Sequence, residues 1–465
     1  MNRRTALIAV ALLSLLGVIA RVFTDVHFQA WKNPNAMEHK TIAISLVAGR
    51  GFTFGDKGYY GPTSVQSPPY PFLLAGAFKA FDAVALNKRG EAVLDPAHPE
   101  RGAHAYMAML LLNALAGGAL VWLTWVLVRT IGGSALTAVV AAGLVAVWPT
   151  QVYAARTVQA VELITVGLTA MTILYYRATR GGGVGAWAGY AFVATTVTLV
   201  EPAFLPALVV SGLMMLFCRS LTSRMKIRNS LVMALAVVAV IGPWTVRNYI
   251  VHGAIIPVKG SFWVNVWKGA NDSASGSDRL ALTPAQRARA RKENGSFGSD
   301  ELTDGNHQYD MLSLEDRKRI DNQPEVVREA VFREFAINWI KANPHRFFQL
   351  CGIRLLKTLT VDWDNPRSYN LAYAVSRLMV ILLTLGGVVV AISQRWSLGF
   401  PLMVFLTALG TYTVTLTAAR FAFPFEVFQL AMGAGLITAV VAKVRGSSPA
   451  PVEVPAFNAF PATAR

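Results

Sequence analysis

Charge and cysteine are both scarce in this chain of 465 residues. Aspartate, glutamate, lysine and arginine together make up 15% of it, against roughly a quarter in a typical soluble domain. That deficit excludes a single soluble enzyme and a disordered scaffold. Only two cysteines occur, Cys218 and Cys351, far apart and in no C-x-x-C pair, so neither a disulfide framework nor a zinc site is expected. The seven histidines (His27, His39, His98, His104, His252, His307 and His345) match neither H-x-x-x-H nor H-E-x-x-H. A phosphate loop is missing too, because Gly49 and Gly51 lack the strand and helix it needs. No internal repeat is present.

What the chain has in abundance is apolar sequence, 54% hydrophobic residues with a mean hydropathy of +0.43. A membrane span needs about 20 mostly apolar residues. Ten runs qualify, at roughly 5–22, 105–128, 135–152, 159–176, 185–200, 203–218, 230–247, 371–392, 398–418 and 424–442. Arg3 and Arg4 ahead of the first run also fit a signal peptide; an uncleaved anchor is the reading that puts both termini on one side.

The formal net charge of +17 would suggest nucleic acid in a soluble protein. Sorted by side it reads differently. With the N-terminus inside, the short inner pieces hold Arg3, Arg4, Arg129, Arg177, Arg180, Arg219, Arg224, Lys226, Arg228, Arg395, Lys443 and Arg445 against a single acid, Glu453. This is the positive-inside pattern, with both termini cytoplasmic and no nucleic-acid partner. The expected fold is an all-α polytopic membrane protein of about ten transmembrane helices. Its parts are a transmembrane domain over 1–247 with a first outer loop at 22–104, an outer segment over 248–370, C-terminal transmembrane helices over 371–445, and a disordered tail over 446–465. In the outer segment, Val327, Val331, Phe335 and Trp339 recur every four residues, so 324–342 reads as an amphipathic helix ending at Asn343-Pro344. Residues 345–360 suit a helix lying in the interface, and Ser313 with Asp316 resembles a capping box. The polar stretch 276–301 reads as a mobile loop. Pro68 and Pro69 start a helix over 70–81.

Seven ionisable residues interrupt the apolar runs: Arg156, Glu162, Glu201, Arg247, Arg377, Arg420 and Glu426. All fall within about two turns of the outer surface on this topology. Ion pairs at helix ends would account for them singly; seven together mark a polar site. Alternating-access transporters place their sites near the midplane, so a transporter or lipid flippase is disfavoured.

Several short patterns then come in a fixed order. After the first run comes Ala43-Ile44-Ser45-Leu46-Val47-Ala48-Gly49-Arg50-Gly51-Phe52, then Ser67-Pro68-Pro69-Tyr70-Pro71-Phe72-Leu73-Leu74. Pro243-Trp244-Thr245-Val246-Arg247-Asn248-Tyr249 ends the seventh run, Trp267-Lys268-Gly269-Ala270-Asn271 follows, and Arg420-Phe421-Ala422-Phe423-Pro424 opens the last. Together they resemble bacterial membrane glycosyltransferases of the GT-C superfamily, nearest the protein O-mannosyltransferase-like (family 39) enzymes and the aminoarabinose transferases. The resemblance covers most of residues 1–440.

It implies membrane-parallel helices in the first outer loop, a polyprenyl-phosphate sugar donor, and a catalytic carboxylate in that loop. The partners would be this donor, an extracytoplasmic acceptor (glycan, lipid or protein) and the bilayer of the cytoplasmic membrane. The sequence departs from the family here: the acidic pair falls on Asn35 and Ala36, and the aromatic position on His39. Either the carboxylate has moved, to Glu38 or Asp25, or the chain is a non-catalytic binding or assembly subunit. A moved carboxylate is the reading taken. A carboxylate serves as general base for an inverting attack, and arginine forks stabilise the leaving phosphate. Arg420 and Arg247 are the candidates for the phosphate, with Arg377 helping because Ala422 stands where a second base is usual; the alternative for Arg420 is an ion pair with Glu426. Tyr59, Tyr60, Gln66 and Tyr70 would stack on or hydrogen-bond a sugar, or simply pack the loop. Glu162 and Glu201 would line the cavity or hold a divalent cation, although hard ions want more oxygen ligands.

Overall fold

Asn2 accepts a hydrogen bond from the Thr5 amide and caps the first helix, α1 (Arg3–His27). Ile8, Leu12, Leu15, Ile19 and Phe23 form an exposed stripe along α1, while Ala6, Val10, Gly17, Arg21 and Asp25 are buried. Large apolar groups face out and small or charged ones face in. Water would not tolerate that arrangement; lipid requires it. The chain is an integral membrane protein.

The computed structural model describes residues 2–32, 34–56, 58–218, 221–295 and 307–446. After α1 come α2 (Met37–Val47), a hairpin of β1 (Thr53–Asp56) and β2 (Tyr59–Pro62), α3 (Pro69–Ala80), and a second hairpin of β3 (Val84–Leu86) and β4 (Ala92–Leu94). Both hairpins are antiparallel, with Thr53 opposite Pro62 and Val84 opposite Leu94. They add two short hairpins to the helices α2 and α3 of this loop. The chain then forms α4 (Pro99–Ile131), α5 (Ala135–Val147), α6 (Pro149–Ala154), α7 (Val161–Thr179), α8 (Gly183–Val200), α9 (Leu205–Phe217), α10 (Ser223–Val240) and α11 (Gly242–His252). Helix α4 stops at Gly132, whose φ of 116° favours a residue without Cβ.

The polar segment holds α12 (Phe262–Gly269), α13 (Pro284–Lys292), α14 (His307–Asp310), α15 (Leu314–Lys318), α16 (Glu325–Ala342) and α17 (Pro344–Leu359). Thr283 and Gln286 cap α13 reciprocally, so the stretch read as a mobile loop carries a helix; residues 296–301 of it lie outside the described residues. Ser313 caps α15 by accepting from the Asp316 amide. The last elements are α18 (Leu371–Ser393), α19 (Gly399–Val414) and α20 (Phe423–Val444). The tail over 447–465, expected to be disordered, lies outside the described residues.

Every apolar run of the sequence is largely helical, yet among the described residues five helices are long and apolar enough to cross a membrane: α1, α4, α8, α18 and Ala419–Val444. Helices α10 and α11, bent by 44° at their junction, make a sixth if they form one span. Three runs give shorter apolar helices, as where Pro149 separates α5 from α6, and α7 is long and unbroken but less apolar. Helix α18 packs tightly on α20, because a Cβ at Gly387 would strike the backbone of Met432 and Gly433.

Candidate active site

Glu38 lies in the first turn of α2, where the helix dipole favours a carboxylate. Its Oε2 accepts a hydrogen bond from Gln66 Nε2 at 3.0 Å. Gln66 belongs to a strap, residues 62–67, that joins β2 to α3. Two groups grip this strap. Glu325, in the first turn of α16, accepts from the Ser64 amide (2.9 Å), the Thr63 hydroxyl (2.6 Å) and the Ser64 hydroxyl. Arg247, on α11, donates to the carbonyls of Thr63 (2.7 Å) and Phe52 (2.9 Å) while lying against Trp244.

Beside the strap opens a cavity of about 900 Å³, large enough for a sizeable ligand. Its walls come from α2, the strap, residues 159–164, 200–206 and 257–268, and the chain from the end of α19 to the start of α20. Its lining mixes polar groups, Glu38, His39, Gln66, Gln159, Asn265, Lys268 and Arg420, with apolar ones, Phe204, Leu205, Pro206, Tyr412, Phe421 and Pro424.

Charge in the cavity is mixed and only partly neutralised. Lys259 Nζ lies 3.6 Å from Glu201 Oε2, and Asp56 is held by Arg328 at 2.7 Å. Lys268 and Arg420 have no ion pair among the described residues. His39 is 8% exposed, tilted against Tyr70 at 5.2 Å. Burial, then the charges of Lys259 and Arg420, push it down to about 3, so its imidazole is neutral at physiological pH. Outside the cavity wall, Glu329 accepts from the amides of Trp263 and Val264 and so caps α12, the helix carrying Asn265, Trp267 and Lys268. Burial lifts its carboxyl to about 7.

Of the residues expected from sequence, Glu38, Gln66, Glu201, Arg420 and Tyr70 line this cavity together. Arg247 does not line it; it clamps the strap. Arg377 is buried, its Nη1 2.7 Å from Glu426 Oε1. That pair uses Glu426, so the alternative partner suggested for Arg420 is already taken. Asp25 is buried near the end of α1 with Oδ1 unpartnered among the described residues. Glu162 is buried 3.5 Å from Arg21 Nε, and forms no cation site with Glu201: no group of three His, Cys, Asp or Glu side chains that could hold a metal occurs among the described residues. Tyr60 is exposed and shares its hydroxyl with Ser45 at 2.8 Å, and Tyr59 lies beside it in β2. Asn35 offers its carbonyl to Gln159, and Ala36 is a buried residue preceding α2.

Sequence reasoning missed Lys259, Lys268 as a cavity cation, His39 as a wall residue, and the Glu325 grip. Trp267-Lys268-Gly269-Ala270-Asn271 carried the signal for Lys268, but as a pattern without a role. Arg21 was missed because it sits at the edge of an apolar run; it packs where Gly17 and Gly117 leave room.

No protein-family model matches the chain, and no curated protein does. Among the solved structures similar to it are two of one protein. One is ArnT from Cupriavidus metallidurans bound to undecaprenyl phosphate, 11% identical, with a TM-score of 0.37 over 96% of this chain and 80% of that one. The other is the same protein in the apo state, 12% identical, with a TM-score of 0.31 over 91% and 78%. Likeness at these scores is faint.

Proposed function

We propose that the chain is a glycosyltransferase of the bacterial cytoplasmic membrane. It moves a sugar from polyprenyl phosphate, with inversion, to an acceptor glycan, lipid or protein on the outer side. The reading is carried by one observation: Glu38 and Arg420 line the same cavity, beside apolar wall residues suited to an isoprenoid. Glu38 takes the proton of the acceptor hydroxyl as it attacks, and Gln66 orients that carboxylate. Arg420 and Lys268, free of carboxylate partners among the described residues, hold the leaving phosphate as its charge develops. Twelve basic residues in the inner loops support an outward-facing site. One similar protein has been solved with undecaprenyl phosphate bound, which makes that lipid the natural probe.

The experiment uses the full chain in lipid nanodiscs. Arg420→Ala should weaken binding of undecaprenyl phosphate at least ~10-fold and slow transfer ~10²-fold or more, whereas binding of the phosphate-free polyprenol should not change. Glu38→Gln should keep lipid binding and lose ~10²–10⁴-fold in rate. Equal affinity for polyprenol and its phosphate, in the unaltered chain, would sink the phosphate site. Lipid binding with no turnover by any donor would favour the non-catalytic relative.

A further inference from the structure

Glu325 is 5% exposed and is not a wall residue of the cavity, yet its carboxylate accepts hydrogen bonds from both Thr63 and Ser64 of the strap. Its donors are two consecutive residues, Thr63 and Ser64. Arg247 binds the same strap from another side instead of closing an ion pair with it. A buried carboxylate is costly unless its hydrogen bonds are met; here they are met entirely by the strap.

Two arms of the cavity hang from that point. Along the chain, Ser64 leads to Gln66, whose amide holds Glu38. Across the chain, the Ser64 carbonyl accepts from the Gly260 amide at 2.9 Å, and the preceding Lys259 reaches Glu201. The approach is close here: a Cβ at Gly260 would run into Ser64 Oγ and Glu325 Oε1, and one of them would have to shift. The three segments therefore meet closely enough that a shift of one moves the others.

We infer that Glu325 is a positioning residue for glycosyl transfer, fixing the spacing between Glu38 and Lys259 through the strap that carries both arms. The inference rests on the function proposed above, in which Glu38 is the base. It acts by geometry alone: a misplacement of about 1 Å can cost ~10²-fold in rate. Glutamine in place of Glu325 keeps the shape but cannot accept from all the strap donors at once.

The test is a double-mutant cycle of Glu325→Gln and Glu38→Gln in the full chain in nanodiscs, with release of sugar from undecaprenyl-phosphate donors as readout. Glu325→Gln alone should lower kcat at least ~10-fold, with KM and undecaprenyl-phosphate binding within ~3-fold. On the Glu38→Gln background it should add less than ~2-fold, because the base it positions is gone. Fully additive losses, or a change confined to KM, would overturn the inference and leave Glu325 a structural residue. Normal turnover by Glu38→Gln alone would instead remove the base assignment, and Glu325's route to it would fall with it. Amide exchange on the same proteins gives a reading independent of activity. Peptides over 60–68 and 256–262 should exchange faster in Glu325→Gln while those of α1 and α18 do not; unchanged exchange in both peptides would overturn the coupling of the two arms.

Discussion

Replacing Arg377 should unfold the protein before it disturbs any ligand. Arg377 is 1% exposed on α18 and Glu426 is 0% exposed on α20, with Nη1 and Oε1 2.7 Å apart. Glu426 also accepts from Gln151 Nε2 at 3.0 Å and from the Thr150 hydroxyl. The other Arg377 nitrogen, Nη2, reaches the Thr360 carbonyl at 3.3 Å, tying α18 to the end of α17. In Arg377→Ala, the carboxylate stays buried with two neutral donors, at a cost of about 3–5 kcal/mol. Against a total stability of about 5–15 kcal/mol, that is a large fraction. The double variant Arg377→Met with Glu426→Leu removes both charges and should be less destabilised than Arg377→Ala. The assay is thermal unfolding in nanodiscs, with and without undecaprenyl phosphate. A large drop in Tm for Arg377→Ala, partly restored in the double variant, with lipid stabilisation retained, is the expected outcome. An unchanged Tm together with lost lipid stabilisation would refute the reasoning and return Arg377 to the ligand.

Three other tests follow from the structure. Gly117→Ala puts a methyl into the Arg21 guanidinium and should cost about 1–3 kcal/mol by overpacking, whereas Gly76→Ala, with open space at its Cβ, should not destabilise; equal melting of the two variants would contradict the packing. Glu329 has its carboxyl raised from 4.5 to about 7, so the folded state holds the proton more tightly. Its contribution to stability is thus fully present below about pH 4.5 and lost as pH rises through 7, a change on the order of 2 kcal/mol after allowing for partial exposure. Glu329→Gln should flatten that part of the Tm-versus-pH curve, and an unaltered curve would count against it. For orientation, single cysteines at the exposed Ala285 and Ser223, in a background lacking Cys218 and Cys351, should differ on intact cells. An impermeant thiol reagent should label Ala285→Cys only, and the reverse would invert the assignment of sides.

The helices were the legible part of this molecule, and for a simple reason. Apolar runs and four-residue spacing persist over many residues, so α1, α16, α17 and α18 could be read from them. The hairpins β1–β2 and β3–β4 could not, since strands of three or four residues leave too short an alternation to detect. Fewer helices than runs have a span's length and apolarity, in part because a run broken by Pro149 has the composition of a span without its continuity. In the site, Glu201 and Arg420 stood out as charges beside apolar sequence, and Glu38 only as the acid nearest the place where the family resemblance implies one. Lys259 and Glu325 lie in the polar segment, where charge is ordinary and periodicity says nothing about which side chains turn inward. Arg247 and Arg377 stood out equally well, but a charge beside a span has two fates, and only packing separates a clamp or a buried pair from a ligand.

The walls of the cavity come from the beginning, the middle and the end of the chain, from Glu38 to Pro424. On the function proposed above, a ribosome making this protein inserts the proposed base long before the arginine of the same cavity exists. Until the segment around Arg420 emerges and α20 forms, the growing chain lacks that cation for a phosphate. On the same proposal, a product truncated before α19 would carry Glu38 and be inert, so that lipid donors would not be consumed by half-built copies.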